Sequence, residues 1–320
     1  MLKLLRANFR LLLKSKMFYI ALAANAMMSV LAVLALKNYG ENEFMFILLV
    51  MLPAICAAHT SLFVGKEYSD GTLRNKLIYG HTKGKVYFSY LITCVVANII
   101  LLVPCMAIVG VTYLDLFTLI DTKQLLLLIS GYLIANAALC SLFVAIGFNI
   151  SLKAVSVVIA VMIVFAGDIS LMFLQDELSQ PEVKYTYMDG NYPEITYFED
   201  DEREPIITPN PDYIEEPTRT VLFIAYNFMP HGQMQEYFDC FEKVYHYWYG
   251  FEERMSELGR ENEVAEIMKN YKVYVFGSYY FKESKEIKRD LEYVFLVNQL
   301  VLIGASTFFG LMLFKKKNLK

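Results

Sequence analysis

The chain has 320 residues, 56% of them apolar and 19% charged, with a formal net charge of −4. That apolar share exceeds the roughly 45–50% of soluble domains, which excludes an ordinary soluble globule and implies apolar residues gathered into long blocks. No nucleic-acid partner is expected.

Residues 2–16 come first. Leu2, Leu4, Leu5, Phe9, Leu12 and Leu13 fall on one helical face. Lys3, Arg6, Arg10, Lys14 and Lys16 fall on or beside the other. This pattern predicts a basic amphipathic helix lying in the membrane interface against anionic lipid. It is not a secretory signal peptide, because the apolar stretch begins only near Met17 and a second long block soon follows.

A helix crossing about 30 Å of hydrocarbon needs about 20 apolar residues. Blocks near 17–36, 44–65, 86–113, 124–148, 152–174 and 293–314 meet that length. The fold class is therefore an all-α polytopic membrane protein with six transmembrane helices. The expected divisions are 1–16 interfacial helix, 17–174 spans one to five, 175–292 an extracellular domain, 293–314 span six and 315–320 a basic tail. Lys and Arg then set the sidedness. The N-terminal segment, the second loop (Lys66, Arg74, Lys76, Lys83, Lys85) and the tail (Lys315, Lys316, Lys317, Lys320) fall on one side. The short loops at 37–43 and 114–123, poor in Lys and Arg, fall on the other. Both termini are expected in the cytoplasm, and 175–292 outside.

The second loop carries the most information. Ser69, Asp70 and Thr72 can each cap a helix start, and Gly80 suits a helix end. Leu73, Leu77 and Ile78 form a small apolar face between them, flanked by Arg74 and Lys76. A helix of two turns, at about 69–80, is too short to stand alone and needs a surface to dock against.

Within the spans, Asp168 is the one charged residue to weigh as part of a pathway, since intramembrane charges are functional by default. Its position near the outer end of span five favours the plainer role, in which it reaches the outer interface and pairs with water or a nearby base. Asn25, Asn98, Asn136, Asn298 and Gln299 read as interhelical hydrogen bonders, and Pro104 as a kink in span three.

Segment 175–292 is acidic and rich in tyrosine. Alternation around Asp189-Gly190-Asn191 predicts a hairpin from Tyr185 to Tyr197. An irregular acidic, Pro-rich stretch through Pro217 should follow, then helix over 233–270 and a strand over 271–281. This makes a small α+β domain. Its acids and aromatic rings could receive a cationic peptide, or serve solubility and a core.

There are five cysteines. Cys56, Cys94, Cys105 and Cys140 lie in apolar blocks and only Cys240 in the polar segment, so no disulfide framework and no metal site are predicted.

The run Glu67-x-x-x-Gly71-Thr72-Leu73-Arg74-x-x-Leu77-x-x-Gly80-x-x-Lys83 resembles the first-cytoplasmic-loop signature of type-2 ABC exporter permeases. The likeness is to membrane subunits of bacterial antimicrobial-peptide (bacteriocin) export and immunity transporters, and it extends to the six-span layout and N-terminal helix. Asn227-Phe228-Met229-Pro230-His231-Gly232-Gln233 is similar to a loop of some members from Gram-positive bacteria. The segment between spans five and six is longer than in compact members. The resemblance implies a coupling helix formed by Glu67, Gly71, Thr72, Leu73, Arg74, Lys76, Leu77 and Gly80, seated in a groove of a separate ABC ATPase. It further implies two ATPase copies, a second permease subunit, identical or homologous, and a location in the bacterial plasma membrane. No GxxxxGK[ST] motif occurs, so no P-loop cradles a nucleotide phosphate here, and the chain is expected to bind no cofactor and to be no enzyme by itself. ATP and Mg would sit on the partner. An amphipathic or antimicrobial peptide is the expected cargo, with lipid or glycan as the second choice. A non-transporting receptor or scaffold is the competing class.

Overall fold

The computed structural model describes residues 1–38, 47–112, 122–189, 192–196, 206–232, 234–235, 256 and 291–317. Helix α1, Leu2–Lys14, ends at Ser15, whose extended backbone (φ −79, ψ 118) breaks it from α2, Lys16–Asn38. A π-helical turn, Ile47–Met51, runs into α3, Leu52–Ser69, with Pro53 in its first turn, where the missing N–H costs no intrahelical bond. Then come α4, Thr72–Ile78, α5, Lys83–Thr112, α6, Thr122–Asn149, and α7, Lys153–Ser179. Strands β1 (Val183–Asp189), β2 (Tyr192–Thr196) and β3 (Ile206–Pro209) follow, with α8, Thr218–Phe228, and α9, Leu291–Lys316.

Among the described residues, six helical stretches are long and apolar enough to cross a membrane: Lys16–Ala35, Ile47–Tyr68, Lys83–Thr112, Leu125–Asn149, Lys153–Ser179 and Leu296–Lys316. They match the six predicted blocks, and the reading of a multi-pass membrane protein whose spans are all helices holds. Span five runs on to Ser179, past its predicted end at 174.

Span six packs against span four, span two against spans four and five, and span one against span three. Small residues let these helices close up, as is usual where lipid gives no hydrophobic drive. A Cβ on Gly65 would meet the Lys153 Cβ at 2.7 Å, and one on Gly147 would meet Val64 at 3.0 Å. Ser141 and Ser306 share a hydrogen bond of 2.5 Å between spans four and six. Tyr87, Phe148 and Phe314 stack into a buried aromatic knot, with the Phe148 and Phe314 centroids 4.8 Å apart.

The start of α1 and the end of α9 sit at one end of this bundle. Lys83 donates to the carbonyls of Lys315 (2.9 Å) and Lys317 (2.7 Å), closing the last turn of α9 with a cation where the helix dipole favours one. Lys317 in turn donates to the Asn149 carbonyl at 3.1 Å. Loop 70–82, α1 and the start of α5 lie at this same end, called the basic end below.

At the opposite end the hairpin occurs as predicted, with Asp189 facing Tyr192 across residues 190–191. The stretch expected to be irregular contributes β3, which pairs with β1 and completes an antiparallel sheet in the order β2-β1-β3. Helix α8 was not predicted either. It lies against α7 and α9, packing Leu222, Phe223 and Tyr226 on Leu171, Leu174 and Leu178. The helix predicted over 233–270 and the strand over 271–281 lie largely outside the described residues.

Candidate functional site

Glycine makes the short helix α4 possible at both of its ends. Gly71 has φ 67, a left-handed conformation, and serves both as the residue after α3 and as the N-cap of α4. Its N–H bonds the Tyr68 carbonyl at 3.2 Å. Gly80 has φ 86. Its N–H bonds Leu77 O at 3.0 Å, while the His81 N–H bonds Lys76 O at 3.2 Å. That pair of bonds is a Schellman motif, which satisfies carbonyls the helix end would otherwise orphan.

The expected side-chain caps are not used. No side chain caps α4, and Asp70 instead closes the end of α3. Thr72 turns back and bonds the Glu67 carboxylate at 2.5 Å. Lys76, one turn further on, reaches the same carboxylate oxygen at 2.8 Å. Its ammonium also donates to Asn8 Oδ1 of α1 at 3.2 Å and to the Tyr90 hydroxyl of α5, and lies 4.4 Å from the Tyr90 ring centroid. Asn8 completes the set by donating to Ser89 Oγ at 3.1 Å. Glu67 and Lys76 keep side-chain exposures of only 9% and 14%. A charge pair so shielded persists only with its hydrogen bonds filled. Here Thr72, Asn8 and Tyr90 fill them.

The apolar face of α4 needs a correction. Leu73 and Leu77 were expected to meet a separate protein. Leu73 is only 2% exposed and belongs to the bundle's own core, with Leu77 packed against that core. The surface that so short a helix needs is supplied by its own chain. What α4 presents outward is Arg74, Asn75, Ile78 (70% exposed) and Tyr79 (84% exposed), with Gly80 beside them.

Asp168 stands apart from this site. It lies about 22 Å along α7 from Lys153, at 1.5 Å per residue, which places it beyond the middle of the span toward the opposite end. It is half-buried and makes no ion pair among the described residues. Its neighbour Gly167 takes part in a contact absent from the predicted set. The His231 ring fills the space a Cβ would occupy there, with Nδ1 at 2.5 Å from that position. His231 is 2% exposed, its Nε2 has no hydrogen-bond partner among the described residues, and burial pushes the imidazole down to about 4. Among the described residues no three His, Cys, Asp or Glu side chains gather as a metal site would need.

Sequence reasoning passed over Asn8, Ser89 and Tyr90. Asn8 had a readable signal. It sits four residues after Leu4 and four before Leu12, a lone amide on the stripe that α1 buries.

Comparison with protein-family models, curated proteins and solved structures finds no match.

Proposed function

We propose that this chain is the membrane-spanning subunit of an ATP-driven exporter of the ABC type, and that α4 couples it to a separate ATPase. The supporting observation is how α4 is held. A seven-residue helix is packed onto the basic end, its core face used up by the chain itself and Arg74, Ile78 and Tyr79 left uncovered. Large exposed apolar and aromatic side chains beside a cation, on a packed support, suit a protein partner. In this reading the basic end faces the cytoplasm, ATP and Mg belong to the partner, and two copies each of permease and ATPase assemble. Movement of α4 then reaches span two through Glu67 and span three through Tyr90, and Lys83 at the start of span three carries it on to span six. The cargo, an amphipathic or antimicrobial peptide, is proposed from the acidic, tyrosine-rich composition of 175–292 and the family resemblance.

The test is a tagged purification from native membranes in mild detergent, with mass spectrometry of the proteins retained. An ABC ATPase in about equal amount is the expected companion. Because Leu73 is internal, the informative variant is Ile78→Asp with Tyr79→Asp, which leaves the core untouched. Loss of the ATPase from that variant, with the permease still monodisperse, supports the reading. Retention of the ATPase refutes α4 as its dock. Failure of the native chain to bring any ATPase, while other membrane complexes survive, favours a receptor or scaffold.

A further inference from the structure

Helix α1 carries three faces. Leu4, Asn8 and Leu12 are buried against the bundle, chiefly along α5. Leu2 and Leu13 are exposed, at 82% and 55%, and with half-buried Phe9 they form a flank about 100° or more around the helix. Lys3, Arg6, Arg10 and Lys14 lie on the face away from the buried one, with Ala7 and the exposed Leu11 at its far edge. None of these four cations has an ion-pair or hydrogen-bond partner among the described residues. No acid occurs anywhere on the helix. An apolar flank beside an unneutralised basic face is the chemistry of a helix at the edge of a bilayer with anionic headgroups.

The buried face has one polar residue, and it touches the site described above. Asn8 bonds Ser89 with its amide nitrogen and accepts from Lys76 with its oxygen. Lys76 is the hub that holds Glu67 and, through it, Thr72. The lipid-facing helix and α4 are therefore joined by the Asn8–Lys76 hydrogen bond. Any rotation or lift of α1 must move Asn8 and either carry Lys76 with it or break the contact.

We propose that α1 is a sensor of anionic lipid, and that Asn8 transmits its occupancy to α4 through Lys76. Anionic headgroups gathered by the four cations seat α1 against the bundle. The seated helix presents Asn8 to Lys76, and α4 is held. In a zwitterionic bilayer the attraction is lost, α1 loosens and α4 with it. Asn8 is a positioning residue here, because it touches no lipid. The inference goes beyond the exporter reading and does not need it, since the assay contains no ATPase.

The test uses the full chain in nanodiscs of phosphatidylcholine, with and without about one third phosphatidylglycerol. The readout is amide hydrogen exchange over 72–79. Anionic lipid is expected to slow exchange there about tenfold in the native chain, as each exposed cation near a charged surface adds to the attraction. Replacing Lys3, Arg6, Arg10 and Lys14 together by Gln should abolish the difference and reduce co-purifying phosphatidylglycerol. Asn8→Leu should keep the lipid and lose the slowing. Inorganic phosphate added to the zwitterionic discs should do nothing, which separates a lipid surface from a free anion. Equal exchange in the two bilayers for the native chain overturns the proposal, as does a lipid effect that survives the four Gln substitutions. An Asn8→Leu chain that still responds removes Asn8 as the transmitter.

Discussion

At the basic end, α4 is held by charge and hydrogen bonds: Glu67, Lys76 and Thr72, with Asn8 and Tyr90 from two other helices. At the opposite end, residues 226–232 are held by shape. His231 fills the notch at Gly167, and Gly232 presses so close to the Tyr226 carbonyl that a Cβ would come within 2.5 Å of it. Tyr226 meanwhile packs on Leu171 and Leu178. The polar tie is directional and fails when one partner is removed. The shape-fitted seat has a different weakness. It contains a titratable ring with a nitrogen left unbonded. The bundle thus has one end that depends on pairing and one that depends on an imidazole staying neutral.

The largest effect should come from breaking the pair. Glu67→Ala leaves the Lys76 ammonium shielded and uncompensated, and removing one partner of a buried pair costs about 3–5 kcal/mol. The buried thiols Cys56, Cys94, Cys105 and Cys140 provide the readout, since a thiol-reactive dye reaches them only on unfolding. A Cys240→Ser background removes the fifth. Glu67→Ala should melt well below the parent, and adding Lys76→Met should restore part of the loss because no lone charge remains. Identical melting of parent and Glu67→Ala would mean the tie contributes nothing and the contrast between the ends is false.

The second effect is confined to the opposite end and depends on pH. Burial lowers His231 from its ordinary 6.5 to about 4. The released or unfolded segment therefore binds a proton before the seated one does. Seating is fully stable above about pH 6.5, weakens as pH falls toward 4, and changes no further below that. The whole shift corresponds to about 3 kcal/mol at 1.36 kcal/mol per pH unit. Charged groups on the packed elements at this end are Asp168, Asp176 and Glu177 of α7 and Arg219 of α8, the last occupied with the carbonyls of Leu178 and Gln180, while Lys153 lies at the far end of α7. Amide exchange over 226–232 should speed up between pH 6.5 and 4. His231→Gln should remove that pH dependence, and a profile unchanged by the substitution would assign it to another group.

Why the two ends differed in legibility follows from the kind of signal each carries. Span count and the gathering of basic residues at one end were readable because both are properties of composition over long stretches, which tertiary packing cannot overturn. The hairpin was readable from Asp189 and its alternating flanks. Strand β3 was not, because Ile206–Pro209 is short, wholly exposed and surrounded by Pro and acid, so only its pairing with β1 makes it a strand. Helix α4 was readable as a short helix, but the face it turns to the bundle was not. Periodicity shows that Leu73 and Leu77 share a face and cannot show whether the cover comes from the same chain or another. The tie at Lys76 was hidden for a related reason. Asn8, Glu67, Lys76 and Tyr90 lie up to 82 positions apart, and nothing local marks them as neighbours.

The smallest effect separates two kinds of glycine and bears most directly on the contrast. Gly167 has an ordinary backbone, and its need is for space, since His231 stands where a side chain would begin. Gly71 has nothing within 4 Å of a would-be Cβ, and its need is for a positive φ of 67. Gly71→Ala therefore adds no clash and should cost only the left-handed penalty, about 1–2 kcal/mol. Gly71→Asn should cost less, because an asparagine tolerates that region through its own local hydrogen bonds. The order Gly, Asn, Ala in melting temperature is the expected outcome. If Asn and Ala were equally harmful, space rather than conformation would limit this turn. The basic end would then rest on shape as the opposite end does, and Lys76 would be a passenger in it.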